Sequence, residues 1–135
     1  MSAGGRPFEH RILIVDDAEE ARSVLAIALG TISGATVETT DNGEDALRSM
    51  SNTRADILIT DVRMSGMSGF DLLTMLREQR CWPSCGVLVI SGEADPELPK
   101  RAVACGAAAF FRKPMSATAV RKSVISLLEG RNGTD

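Results

Sequence analysis

Three short, unbroken apolar runs constrain this chain more than any other feature: Ile12-Leu13-Ile14-Val15, Ile57-Leu58-Ile59 and Val87-Leu88-Val89-Ile90. A strand with one wet face alternates apolar and polar residues; a strand apolar throughout must be covered on both faces. The runs give way to polar residues: Asp16-Asp17 after the first, Asp61 after the second, Ser91-Gly92 after the third. Two more strands read at Ala35–Thr40, which is β-branched, and at Ala107–Phe111, which ends before Lys113-Pro114.

Helical spacing fills the intervals. Ala21, Val24, Leu25, Ala28, Leu29 and Ile32 recur at the period of one helix face, behind Glu19 and Glu20, which suit the positive end of the helix dipole. Asp41-Asn42-Gly43 is a turn that opens a second helix with Ala46, Leu47 and Met50. The loop from Met64 to Gly69 leads to a third helix carrying Phe70, Leu73 and Leu76. A fourth helix is expected from about Pro96 to Gly106, with Pro99 blurring its start, and a fifth from Ser116 to Glu129. Five strand–helix units of this kind predict an α/β fold: a doubly wound, five-stranded parallel sheet with helices on both faces. The expected organisation is an N-terminal extension at 1–10, one domain at 11–129 and a flexible tail at 130–135.

The chain of 135 residues suits one domain, and no apolar stretch reaches the roughly 18 residues of a membrane span. Its start lacks the basic patch and apolar run of a signal peptide. Cys81, Cys85 and Cys105, with the single His10, make neither a zinc cage nor a disulfide framework, so a cytoplasmic location is expected. His10 reads as a solvated residue. A pI of about 5.2 argues against direct nucleic-acid binding. Charge is uneven: residues 1–95 carry a formal −7, and residues 96–135 carry +4.

In open α/β sheets the ligand lies outside the carboxyl ends of the strands. Asp16, Asp17, Asp61, Ser91 and Lys113 all fall at those ends. Clustered carboxylates repel unless a cation neutralises them, and a hard divalent ion, Mg²⁺ by default, fits oxygen donors. A carboxylate beside such an ion, with a lysine and a hydroxyl, is suited to accepting a phosphoryl group. Asp61 is the most central candidate nucleophile, and Asp16 and Asp17 are better placed as metal ligands.

The set Asp16-Asp17, Asp61, Ser91-Gly92 and Lys113-Pro114 resembles the receiver domain of two-component response regulators, from about Arg11 to Glu129. Asn42-Gly43, Asp61-x-x-Met64, Gly69 and Gly106 agree with it in position. The resemblance implies a flavodoxin-like sheet of order 2-1-3-4-5 and a cis peptide at Lys113-Pro114. It implies that Asp61 accepts a phosphoryl group from a sensor histidine kinase or a histidine phosphotransfer protein. Mg²⁺, or Mn²⁺ in its place, would be held by Asp17, Asp61 and the backbone carbonyl of Arg63, with Asp16 acting through water. Lys113 would pair with the phosphoryl oxygens, and Ser91 and Phe110 would form the switch pair. Two positions depart from the family pattern: Ser65 stands where Pro is usual, and Phe110 where Tyr is frequent.

Arg63 and Glu93, two residues beyond Asp61 and Ser91, are expected at the mouth of the site. Lys100, Arg101, Arg112, Arg121 and Lys122 fall on the fourth helix, fifth strand and fifth helix. Such residues commonly form a solvated face; the resemblance implies instead that this face changes on phosphorylation and meets an acidic downstream protein or a second copy of the chain. The expected function is a signalling switch that catalyses its own phosphorylation and dephosphorylation but is no enzyme of outside substrates. Two rivals remain: an aspartate-nucleophile phosphatase, against which Asp17-Ala18-Glu19 lacks the Asp-x-Asp pattern, and a degenerate receiver acting only as a scaffold.

Overall fold

A computed structural model describes residues 9–133. The elements follow in strict alternation: β1 His10–Val15, α1 Glu19–Leu29, β2 Ala35–Thr40, α2 Gly43–Asn52, β3 Ile57–Asp61, α3 Gly69–Glu78, β4 Gly86–Ser91, α4 Glu97–Ala104, β5 Ala109–Arg112 and α5 Ala117–Gly133. All four strand pairings are parallel, and the order is β2-β1-β3-β4-β5. The order reverses between β1 and β3, so Asp16 and Asp61 flank the switch point where such sheets place their ligands.

The apolar runs are buried on both sides, as their composition demands. Leu13, Val15, Leu58, Val87 and Val89 face α2, α3 and α4, where Met50, Leu72, Leu73, Leu76 and Leu98 meet them. The residues between them, Ile12, Ile14, Ile57, Ile59, Leu88 and Ile90, face α1 and α5 through Leu25, Leu29, Val120, Val124 and Leu128. Each such side chain contributes roughly 1.5–3 kcal/mol by leaving water.

Local chemistry sets the helix ends. Asn42 caps α2 by accepting from the Asp45 N–H at 2.7 Å. Ser68 and Asp71 cap α3 reciprocally. Pro99 is the third residue of α4, in the first turn, where a missing N–H costs nothing.

The structure departs from the expected pattern in five places. Val24 is 47% exposed, not part of the buried face, because α1 turns Leu25, Leu29 and Ala26 toward the sheet; Ile27 is 74% exposed. Ile32 is buried but follows the helix. The fifth strand runs over Ala109–Arg112, not 107–111. Gly106 (φ +102°) turns the chain out of α4, Ala107 N–H still bonds to Ala102 O at 3.0 Å, and the last pairing is Ser91 with Arg112. Finally, α5 begins after Ser116, whose hydroxyl accepts from Ala119 N–H, and passes through Gly130 to Gly133. An exposed glycine costs a helix only about 1 kcal/mol, too little to end this one. His10 opens β1 instead of preceding the domain. Residues 1–8 and 134–135 lie outside the described residues.

Gly69 shows how closely the site is packed. A Cβ placed there would lie 2.1 Å from the carbonyl oxygen of Asp61 and 3.1 Å from Val62 Cα, both backbone atoms. Gly69→Ala must therefore push α3 away from the end of β3. We expect a loss of about 2–3 kcal/mol, seen as a lower urea midpoint at unchanged slope; an unchanged midpoint would show that the loop yields freely.

Candidate functional site

The ends of β1, β3 and β5 bring four charged groups together. Asp16 and Asp61 are buried and Asp17 is exposed, and one oxygen from each lies within 4.8 Å of the others. Lys113 reaches in from beyond β5: its Nζ donates to Asp61 Oδ2 at 3.2 Å and lies 2.7 Å from Asp16 Oδ2. The second contact is a short ion pair, and it is the one partner of the buried Asp16 Oδ2 among the described residues. The Lys113–Pro114 peptide is cis.

The backbone orients both buried carboxylates. Asp16 Oδ1 accepts from Ala18 N–H at 2.9 Å, and Arg22 Nη1 donates to the Asp16 carbonyl at 2.7 Å. Asp61 Oδ1 accepts from Val62 N–H at 2.8 Å, leaving Oδ2 toward Lys113. Ser91 is fully buried at the end of β4; its Oγ accepts from Glu93 N–H at 3.1 Å, and its carbonyl accepts from Lys113 N–H at 2.8 Å.

The electrostatics follow from this crowding. Burial, and secondly the charge of Asp16, push the Asp61 carboxyl up to about 6 against the partial relief given by Lys113. Burial pulls Lys113 down, but the Asp16 and Asp61 carboxylates outweigh it and hold the ammonium above its ordinary range. One ammonium faces three carboxylates. Hard oxygen donors in excess of their counter-charge, one of them buried with Lys113 as its sole partner among the described residues, fit a small divalent cation such as Mg²⁺.

The expected neighbours are also in place. Arg63 Nε pairs with Glu93 Oε2 at the mouth, with the Arg63 side chain largely in solvent. Phe110 is half-buried against the α3–α4 core, while Phe111 packs on the opposite face. On the basic face, Arg101 stacks over Phe70 at 4.2 Å, Arg112 donates to the Glu93 carbonyl, and Arg121 donates to Thr31 Oγ1. Lys100, Arg101, Arg112, Lys122 and the apolar Val103 (65%) are exposed there, and Arg121 is half-buried. Arg22, Glu44, whose carboxylate accepts from Met67 N–H at 3.3 Å, and the bond from Arg112 to the Glu93 carbonyl escaped the sequence reading because the partners are backbone groups from other segments.

The response regulator receiver domain family matches residues 12–125. The chain belongs to that family. It is 29% identical over 123 residues to the chemotaxis protein CheY of Pseudomonas aeruginosa, covering 91% of this chain and 99% of that one. It is 32% identical over 120 residues to a cyclic di-GMP phosphodiesterase of Thermotoga maritima, covering 89% of this chain but only 31% of that longer protein. Among solved structures, the chemotaxis response regulator CheY4 of Vibrio cholerae superposes with a TM-score of 0.78 at 28% identity, covering 88% of this chain and 98% of that one. Receiver domains of two-component systems are phosphorylation-controlled switches, and this chain is one by family. No helix among the described residues is long and apolar enough to cross a membrane.

The raised Asp61 carboxyl has a testable sign. The folded protein holds that proton more tightly than the unfolded chain, whose carboxyl titrates near ~3.9. The stability present below pH ~4 is therefore lost as pH rises through ~6. Without divalent cations, Asp61→Asn should be more stable than wild type at pH 7 by about 1–3 kcal/mol, and the gap should close toward pH 4. Urea titrations across that range check this; a gap independent of pH would contradict it.

Proposed function

We propose that this receiver accepts a phosphoryl group on Asp61 from the phosphohistidine of a sensor kinase or a histidine phosphotransfer protein. A carboxylate oxygen of Asp61 attacks phosphorus, the P–N bond to imidazole breaks, and an acyl phosphate results. Water later attacks the phosphorus, releasing inorganic phosphate and restoring the carboxylate. The observation that carries this reading is the buried Asp61 carboxylate, fixed through Oδ1 by Val62 N–H and accompanied by Lys113 and two further carboxylates. Asp16, Asp17, Asp61 and the Arg63 carbonyl would hold Mg²⁺, or Mn²⁺ in its place, which would offset charge on the phosphoryl oxygens. Lys113 would remain paired with those oxygens, and Ser91 would donate its hydroxyl to one of them. Phe110 would move with Ser91, passing the change to the α4–β5–α5 face, where a downstream protein or a second copy docks. We place the switch in the cytoplasm, with no direct contact to nucleic acid.

Intact-mass measurement with acetyl phosphate and Mg²⁺ tests the chemistry. The mass should rise by one phosphoryl group, and neither Asp61→Asn nor chelation should permit it. Unchanged labelling of Asp61→Asn would remove Asp61 from the role.

A phosphohistidine donor must also bring its ring to the rim, so it must cover the surface bordering Asp61 and Lys113. A largely apolar cavity of about 450 Å³ lies there, lined by Ala18, Ala21, Val24, Pro114 and Met115 with Glu20 and Lys113, and Ile27 continues the exposed stripe one turn along α1. We assign this surface to the donor's helical domain. Ile27→Glu should slow transfer from the phosphohistidine donor about 10-fold, roughly 1.4 kcal/mol, while labelling by acetyl phosphate changes less than about 2-fold. Equal effects on both donors would overturn the assignment.

A further inference from the structure

We propose that Arg112 is a positioning residue for the Ser91 hydroxyl, acting through the backbone of Glu93; the catalytic part of this rests on the reading of Asp61 as phosphoacceptor. Ser91 and Arg112 are register partners at the ends of β4 and β5. Beyond Ser91 the chain leaves β4 at Gly92, an exposed residue around which an added Cβ would meet only the Lys113 side chain, at 3.8–3.9 Å. Glycine is conformationally permissive, and by itself it does not aim the next peptide.

Glu93 is instead held at three points. Its carbonyl accepts from Arg112 Nη1 at 2.5 Å, its carboxylate pairs with Arg63 Nε, and its own N–H donates to Ser91 Oγ at 3.1 Å. The two arginines come from opposite sides, one from β5 and one from the loop after β3. With both ends of the residue tied, its N–H stays on the serine oxygen. A hydroxyl has one donor hydrogen and two acceptor lone pairs. Occupying a lone pair from the Glu93 side turns the O–H proton elsewhere, which leaves it available to an incoming oxygen.

Arg112 also shares a strand face with Phe110, since side chains two apart in a strand point the same way. The expected switch ring and the tether to the β4–α4 turn are therefore neighbours along one edge strand. A solvated arginine at a strand end would be the bland alternative, but the 2.5 Å contact to Glu93 O gives this guanidinium a defined partner.

Two measurements test the proposal. The first needs no phosphate: exchange of the Glu93 amide proton with water, followed by NMR in the unmodified protein. Arg112→Ala should speed that exchange about 3-fold or more, with Arg112→Lys intermediate; an unchanged rate would overturn the proposal. The second is labelling of Asp61 by acetyl phosphate with Mg²⁺ in a double-mutant cycle. Arg112→Ala should slow labelling about 3-fold when Ser91 is present and less than about 1.5-fold in Ser91→Ala, because a residue acting through Ser91 loses its effect with it. Equal slowing in both backgrounds would show general structural damage and overturn the proposal. Failure of the wild type to label at all would remove the phosphoacceptor reading, while the exchange measurement would still decide whether Arg112 holds the turn.

Discussion

The ammonium of Lys113 is the interaction on which the rest of the site depends. Asp16 and Asp61 are buried with carboxylate oxygens less than 4.8 Å apart. Two such charges repel by about 3–4 kcal/mol at an effective dielectric near ~20. Only Lys113 stands against them at ion-pair distance among the described residues. It comes from beyond β5, whereas the carboxylates belong to β1 and β3, so its side chain must pass the end of β4. A long, flexible four-carbon stem with a compact charge can do this; a shorter residue could not. The strand order thus decides the residue type. Removing one partner from a buried ion pair commonly costs about 3–5 kcal/mol, because the remaining charge is stranded.

Around that pair, backbone geometry does most of the positioning. Asp16 and Asp61 each spend one oxygen on a nearby N–H, which leaves the second oxygen of each facing Lys113. Gly69 lets the first turn of α3 approach the Asp61 carbonyl, and the loop before it is braced from α2. Gly66 takes φ +78°, Met67 N–H reaches Glu44, and the Met67 side chain lies against Gly43. This bracing answers the departure at Ser65. Where the family usually has proline to stiffen the loop, this chain uses a carboxylate and a close helix contact.

The sequence made the sheet legible because a strand segment buried on both faces must be apolar throughout, and three of the five strands carry such a run. The carboxyl ends of those strands then named Asp16, Asp61 and Ser91 without knowledge of distances. What escaped notice depends on where elements sit relative to one another. Val24 and Leu25 are equally apolar, and only the roll of α1 decides that Leu25 is buried and Val24 is not. The basic residues of α4, β5 and α5 looked like one docking surface, yet Arg101, Arg112 and Arg121 have partners on Phe70, Glu93 and Thr31, residues distant in sequence. The end of α5 was missed because a helix can carry an exposed glycine at small cost.

The site breaks local rules that the rest of the fold obeys. Elsewhere, buried positions are apolar; here buried aspartates crowd together around a single ammonium. Such conflicts cost stability and persist where function needs them. A cluster fully neutralised by its own side chains would have no use for a cation or a phosphoryl group. One held at three carboxylates to one ammonium has an excess of negative charge that a divalent ion can offset. Charging Asp61 is unfavourable in the free protein, which raises its carboxyl toward 6. Binding a cation would remove that penalty, so metal affinity and Asp61 ionisation would be thermodynamically linked. The arrangement that weakens the isolated domain is the same one that would ready Asp61 for the proposed chemistry.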